Sequence, residues 1–475
     1  MIRTRFAPSP TGYMHIGNLR TALYEYLIAK HYGGRFILRI EDTDQNRQVE
    51  GSVDVIYNTL KIAGLQYDEG PDIGGDFGPY IQSLRKDIYL KHARELVEKG
   101  KAYYCFCGKE RMDAPDVYEK YDRRCLYLPA SEIQAKLASN STYVIRQLIP
   151  EGESRFLDLV YGDITVNNDE MEDQVLIKSD GMPTYNFANV IDDHLMGITH
   201  VIRGNEYLSS TPKYNQLYEA FGWPIPIYIH LPLILNANGE KLSKRKGDAS
   251  FEDLLSQGFL AEAIINYLAL LGWSPESNKE IFSLAELIEQ FDETRLSKAP
   301  SVFDIKKLTW MNGEYIKRID PGKFCEMSLP VLKSSIITPG VDLCYVSAMV
   351  QTRINFIHEI PSLVDFIDKL PNYEAELYTH KKMKTNTDIS ITSLNQAASV
   401  LNGVSIWDTN HIHDALSALV QSMGIKNGQM LWPVRTALSG KPTSFCGAAE
   451  LCALLGKEES LKRIRYGIAL LGIRC

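Results

Sequence analysis

Near the start of the chain, apolar residues switch between two periods. Ile2 to Ala7 predicts a short strand, which cannot pass Pro8-Ser9-Pro10-Thr11-Gly12, because two prolines remove donors and a glycine punctuates. Leu19, Ala22, Leu23, Tyr26 and Leu27 then recur at helical spacing, and Gly33-Gly34 stops that helix. Arg35 to Ile40 predicts a second strand, running into Glu41-Asp42-Thr43-Asp44. Val49, Val53, Ile56, Tyr57 and Leu60 predict another amphipathic helix. This β-α-β-α order predicts an α/β domain with a Rossmann-like, doubly wound parallel sheet. Such sheets bind ligands at the carboxyl ends of their strands, where the Pro8–Gly17 turn and Glu41-Asp42 fall.

Residues 81–185 break that alternation with a cysteine cluster, charged helices and short polar strands, and read as an α+β insertion. The sheet is expected to resume at Thr184–Phe187, at Val201–Arg203 and at Leu231–Leu235. From about 250 the pattern is helical, with Ala261–Leu271 and Leu343–Asp368 as examples. The expected division is a catalytic domain over 1–80 and 186–237, the insertion over 81–185, a helical domain over 238–320 and an all-helical region over 321–475.

The 475 residues carry 45% apolar and 23% charged side chains, an ordinary composition for a folded protein. No run of about twenty uncharged apolar residues exists, so no membrane span is expected. The first residues, Met1 to Phe6, have no apolar signal core, which predicts a protein that is not exported. Eight cysteines in so long a chain fit a reducing cytoplasm better than a disulfide framework. Net charge is -8, unlike that of a generic nucleic-acid coat protein. It is uneven: residues 321–475 hold 15 Lys+Arg and 13 Asp+Glu, while 1–320 hold 36 and 46. Any nucleic-acid contact must therefore run over local basic patches.

Two segments carry phosphate chemistry. Ser9-Pro-Thr-Gly12-Tyr-Met-His15-Ile-Gly17-Asn18 falls at a strand-to-helix junction. There a glycine admits a phosphate to the backbone, and the helix N-terminus offers free N–H groups. Its plainer reading is a tight turn with a capping histidine. Gly239-Glu-Lys241-Leu-Ser243-Lys244-Arg-Lys-Gly247 sets a small hydroxyl between lysines, with glycines on both sides. That suits a mobile loop closing on a polyphosphate, although a charge run is more often a solvated face.

Together, His15-Ile-Gly-Asn and Lys241-Leu-Ser-Lys-Arg resemble the paired motifs of class I aminoacyl-tRNA synthetases. Arg5-Phe-Ala-Pro-Ser9-Pro-Thr-Gly, Arg39-Ile-Glu41-Asp, Pro183-Thr-Tyr185-Asn-Phe-Ala, Thr199-His-Val-Ile-Arg203-Gly and Pro433-Val-Arg435-Thr-Ala-Leu resemble glutamyl-tRNA synthetases of bacterial type, nearly end to end. The resemblance implies a glutamyl-adenylate made from ATP with Mg²⁺, and transfer to tRNA(Glu). A relative that also charges tRNA(Gln) is the alternative. It further implies a cytoplasmic monomer that touches no membrane. Pro8, Ser9, Gly12, His15, Gly17, Asn18, Lys241, Ser243 and Lys244 would hold ATP, with His15, Lys241 and Lys244 as the catalytic groups. Glutamate needs an acid for its ammonium and cations for its two carboxylates. Glu41, assisted by Ser9, is the expected ammonium side, and Ala7 is a further expected glutamate-binding residue. Arg5 and Arg203 are the candidates for the carboxylates, since the guanidinium fork matches a carboxylate; the resemblance implies Arg5, with Tyr185 and Asn189, at the side-chain carboxylate and Arg203 at the α-carboxylate. Asn18 and Leu242 depart from the usual motifs at positions that do not hold phosphate. Tyr207 stands where many relatives carry His or Trp, which leaves its part in the pocket open.

Cys105-Phe-Cys107 and Tyr121-Asp-Arg-Arg-Cys125 bring three thiols close in sequence, which points to tetrahedral Zn²⁺. Similarity to relatives with a Cys-x-Cys…Tyr-x₃-Cys set implies Tyr121 as the fourth ligand, with water or Asp122 as alternatives; unligated cysteines are the plainer reading. Cys325, Cys344, Cys446, Cys452 and Cys475 lack such spacing and are expected in core packing. For tRNA, Lys306-Lys307 and Lys381-Lys382-Met-Lys384 are candidate patches, while Trp407 and Trp432 are expected in the core.

Overall fold

Strand β1 (Arg3–Phe6) is buried along its whole length and pairs in parallel with β2 (Arg35–Leu38), Arg5 facing Ile37. Between them runs α1 (Ile16–His31), which buries residues nearly all round and so sits inside the domain rather than on its surface. It ends at Gly33, whose φ of 62° is the left-handed turn that favours glycine. Helix α2 (Ser52–Ile62) follows; Val49, included in its stripe by periodicity, lies before it and is exposed. The computed structural model describes residues 1–44, 49–108, 121–242 and 250–472, and these fall into two compact units, Met1–Leu308 and Thr309–Cys475.

In the first unit, α3 (Lys86–Glu98) leads into β3 (Ala102–Cys105), β4 (Val144–Gln147), β5 (Glu153–Asp158), β6 (Gly162–Asn167) and β7 (Val175–Ile177). Strands β3, β4 and β7 form a separate antiparallel sheet. The β5–β6 hairpin does not stay with it. Asp158 of β5 pairs in parallel with Tyr228 of β9 (Ile227–Leu231), which pairs in parallel with β8 (His200–Gly204). The four-stranded order is β6-β5-β9-β8, so the sheet is mixed, and strands from segment 81–185 extend it. Strand β8 packs along β1, where the Thr199 N–H donates to the Arg3 carbonyl at 3.0 Å.

Two expected strands are different in the structure. Thr184–Phe187 starts a helix, Tyr185–Leu195. Phe187, Ala188, Val190 and Ile191 recur at helical spacing and pack on Tyr214, Leu217 and Tyr218, which decides the matter. Leu231–Leu235 is split at Pro232, which cannot donate to a ladder: β9 stops at Leu231, and β10 (Ile234–Leu235) pairs instead with β11 (Ser301–Val302). Beyond 250 the unit is helical apart from β11, with capping boxes at Ser250/Asp253 and Ser283/Glu286.

The described part of the second unit holds helices and no strand, including Pro321–Ser335, Leu343–Gln351, Thr387–Asn402, Asn427–Ser439 and Lys457–Gly472. The long helical stretch expected over 343–368 breaks after Gln351 and resumes as the short Ile360–Val364. Cys325 and Cys344, expected as core residues, form a disulfide instead; Cα atoms 5.3 Å apart on facing helices allow it. Cys452 is buried and Cys446 half-buried, as core packing requires. Trp407 and Trp432 are half-buried, each with its indole N–H donated to a backbone carbonyl. No helix among the described residues is long and apolar enough to cross a membrane.

Candidate active site

The residues that follow the parallel strands converge on one cavity of about 680 Å³. Arg5 and Ala7 come from the end of β1, Glu41 from beyond β2, Arg203 from the end of β8 and Pro232 from beyond β9. Pro8, Ser9, Gly12, His15, Gly17 and Asn18 form another wall, and Tyr185, Tyr207 and Lys241 line the same cavity. Nearly all the residues singled out from sequence for ATP and glutamate therefore share one cavity. Asn189 is the exception: it is buried off the cavity wall, its amide donating to the Tyr185 carbonyl at 3.1 Å. Ser243 and Lys244 lie outside the described residues.

The turn ahead of α1 has features that suit an anion. Gly12 has φ of 109°, a conformation that L side chains rarely adopt. His15 caps α1: its Nδ1 accepts from the Gly17 N–H at 3.0 Å. With Nδ1 accepting, the neutral imidazole carries its proton on Nε2, which makes that nitrogen the donor. Lys241 reaches the cavity half-exposed, 4.0 Å from Glu206 Oε1.

On the opposite side, charges are buried in a network. Glu41 Oε1 accepts from Arg39 at 2.9 Å and from Gln82 at 3.4 Å, while Oε2 has no partner among the described residues. Burial raises the Glu41 pKa, against the pull of Arg39 and Arg5. Arg5 donates to Asp193 at 3.0 Å and to Glu25 at 3.3 Å. Burial opposes the Arg5 charge, but Asp193 and Glu25 outweigh it and raise its pKa. Burial also pushes Glu25 well above the usual carboxylate range, against Arg5.

Arg203 sits 4.5 Å from the Tyr214 ring centre and 5.3 Å from those of Tyr207 and Tyr228. Its Nε donates to His230 Nε2 at 3.2 Å and its NH2 to Thr211 Oγ1 at 3.0 Å. Tyr207 also packs on Tyr185, with ring centres 5.7 Å apart. Glu25, Asp193 and His230 escaped the sequence reading. The available signal was a charged or polar residue inside an apolar run: Glu25 between Tyr24 and Tyr26, Asp192-Asp193 after Val190-Ile191, and His230 in Ile-Tyr-Ile-His-Leu.

At a separate site, the sulfurs of Cys105, Cys107 and Cys125 lie within 4.8 Å of one another. Cys107 Sγ is 3.7 Å from Cys125 Sγ, and Tyr121 Oη is 3.0 Å from Cys105 Sγ and 3.5 Å from Cys107 Sγ. Three sulfurs held tetrahedrally at about 2.3 Å from Zn²⁺ are about 3.8 Å apart, so this donor set fits the ion.

Residues 1–310 match the family described as tRNA synthetases class I (E and Q), catalytic domain, and residues 283–468 match an anticodon binding domain. The chain is 57% identical over 480 residues to a glutamate–tRNA ligase of Clostridium botulinum, covering 99% of each chain. It is 57% identical to that of Clostridium kluyveri, covering 98% of this chain and 97% of the other. A crystal structure of a glutamate tRNA ligase from Elizabethkingia meningosepticum, in complex with its amino acid, superposes with a TM-score of 0.86 at 35% identity, covering 99% of each chain.

Proposed function

Because the chain belongs to the glutamate–tRNA ligases of the class I synthetase family, we propose that the cavity beyond β1, β2, β8 and β9 is where it joins glutamate to ATP and then to tRNA(Glu). The enzyme is an ATP-dependent ligase that attaches glutamate to tRNA. The single observation that carries the site assignment is the buried Glu41, with an unpartnered oxygen, lining the same cavity as the Arg5 and Arg203 guanidinium groups. An acid with one spare acceptor suits an ammonium, and two cations suit two carboxylates.

Glu41 takes the substrate ammonium, Arg203 the α-carboxylate and Arg5 the side-chain carboxylate, while Tyr185 closes the pocket. The α-carboxylate attacks the α-phosphate of ATP in line, and pyrophosphate leaves. This step demands positioning and charge neutralisation more than covalent help from the protein. His15 Nε2–H donates to the phosphate chain beside the N-terminus of α1, and Lys241 and Lys244 neutralise charge that grows as pyrophosphate departs. Mg²⁺ accompanies ATP. The adenylate then passes glutamate to a ribose hydroxyl of the tRNA terminus. Segment 81–185 receives the acceptor end, and the helical C-terminal unit the anticodon. The enzyme works as a cytoplasmic monomer. Charging assays with purified glutamate and glutamine tRNAs, each with glutamate and with glutamine, test this reading. The expected product is glutamate on the glutamate tRNA, with glutamine disfavoured about 10⁴-fold, since its amide offers Arg5 no carboxylate to accept the hydrogen bonds that Asp193 leaves free. Equal use of glutamine overturns the Arg5 assignment.

Cys105, Cys107, Cys125 and Tyr121 hold a structural Zn²⁺, supported by the sulfur spacing above. Held by these residues, the ion would tie the end of β3 to the segment at 121–125. Metal analysis of protein purified without chelator is expected to give about one zinc per chain and far less in Cys125→Ser. Wild-type protein with well under one zinc refutes the site.

A further inference from the structure

Behind Arg203 lies a buried pair that the reaction above does not use. Asp158 and His230 are fully buried, and His230 Nδ1 is 2.7 Å from Asp158 Oδ2. The Asp158 carboxylate accepts three backbone N–H groups besides: Val160 and Tyr161 on Oδ1 at 3.0 and 2.8 Å, and His230 itself on Oδ2 at 3.1 Å. A carboxylate loaded with donors remains an acceptor, so the His230 Nδ1 must carry the proton. That leaves Nε2 as a lone pair, 3.2 Å from Arg203 Nε–H.

Thr211 Oγ1 also lies 3.3 Å from His230 Nε2. Its one proton is donated to the Tyr207 carbonyl at 2.9 Å, so the oxygen accepts from Arg203 NH2 and leaves the imidazole lone pair to Arg203 Nε. Two of the three nitrogens of the guanidinium are thereby tied to acceptors, and three tyrosine rings pack around it. The planar fork is held in one orientation, with NH1 left over.

We infer that His230, oriented by Asp158, is a positioning residue that fixes the guanidinium plane of Arg203 so that its outer NH1–NH2 edge meets a carboxylate of the substrate. The inference rests on the reading that Arg203 binds glutamate. A neutral imidazole serves better here than a second carboxylate. Arg39 shows the contrast: Asp193 and Glu41 bond it directly and balance its charge within the protein. At Arg203 the nearest bonded partners are uncharged, and the balancing anion, Asp158, stands one ring away. The cation is compensated well enough to be buried yet keeps its charge for a ligand.

Two substitutions at one position separate positioning from packing. In His230→Asn the amide falls near the Nδ1 position, so it keeps the hydrogen bond to Asp158 and loses the one to Arg203. In His230→Gln the amide reaches the Nε2 position and supplies an acceptor to Arg203, at the expense of Asp158. Steady-state charging at varied glutamate is expected to show KM for glutamate raised about 10–100-fold in His230→Asn, with KM for ATP little changed. His230→Gln is expected to recover most of that loss. A residue that served only to satisfy Asp158 gives the reverse order, and that result overturns the inference. Asp158→Asn tests it without altering the ring. Its amide nitrogen faces Nδ1, drives the proton to Nε2, and sets two donors against each other at Arg203. KM for glutamate is expected to rise as in His230→Asn, and an unchanged value overturns the inference. Arg203→Ala, measured alongside, separates the two failures. If it raises KM while the His230 and Asp158 variants do not, the positioning role alone is wrong. If it leaves KM unchanged, the assignment of Arg203 to glutamate falls as well.

Discussion

Arg203→Ala is expected to lower kcat/KM for glutamate by about 10²–10³-fold, the effect of removing one partner from a buried, hydrogen-bonded charge pair. The loss divides between the two constants. KM rises because one carboxylate has no cation. The rate constant kcat falls because that carboxylate is the nucleophile, and an unanchored nucleophile spends less time in line with the α-phosphate. Arg203→Lys is expected to recover only part. An ammonium is a point charge and cannot at once donate to His230, to Thr211 and to a ligand, as the guanidinium is arranged to do. ATP binding, on the other wall of the cavity, should change little. Steady-state charging and equilibrium nucleotide binding together check the result, and an equal loss for both substrates refutes the assignment.

Glu41→Gln is expected to lower kcat/KM for glutamate by a similar factor, about 10²–10³-fold, through loss of the ion pair with the ammonium. Stability is expected to fall as well, because Glu41 Oε1 pairs with the buried Arg39 at 2.9 Å, and removing one charge of a buried pair outweighs relief of the unpartnered Oε2. A melting temperature below that of the wild type checks this balance. The pH dependence has a definite sign. Burial raises the Glu41 pKa in the free enzyme, and only the ionised form pairs with an ammonium. As pH falls through that raised value, kcat/KM falls. In the complex the bound ammonium favours the carboxylate and lowers its pKa. The acid limb of kcat/KM, which reports the free enzyme, should thus lie at higher pH than the acid limb of kcat. Coincident limbs would remove Glu41 from this role.

Local pattern was enough for the elements that stand alone. The opening strand, turn and helix were legible because Pro8, Pro10 and Gly12 forbid regular structure, and the stripe from Leu19 to Leu27 has a single period. The motifs at His15 and Lys241 were legible for a related reason: phosphate chemistry demands particular residue types at a strand-to-helix junction and on a loop. Glu41, Arg5 and Arg203 were candidates only through the family resemblance joined to the charges of glutamate, since an isolated arginine in a sequence reads equally as a structural ion pair. The same reasoning misread Tyr185–Phe187, where a short apolar run fits either period and only packing on Tyr214 and Leu217 decides. It also misread Cys325 and Cys344, because a pairing across two helices depends on distance in space.

The sequence by itself determined the family of this chain and the residue types it offers: a helix N-terminus and a basic loop suited to phosphate, an acid and two arginines suited to glutamate, and three thiols suited to a metal. Tertiary structure alone decided how those charges are balanced. Asp193 comes to Arg5 across 188 residues and Asp158 to His230 across 72, and Glu25 turns inward from the face of a helix. Such pairings leave no periodic trace, because a buried ion is stabilised by whatever opposite charge the fold delivers, and the order of residues along the chain does not encode that distance.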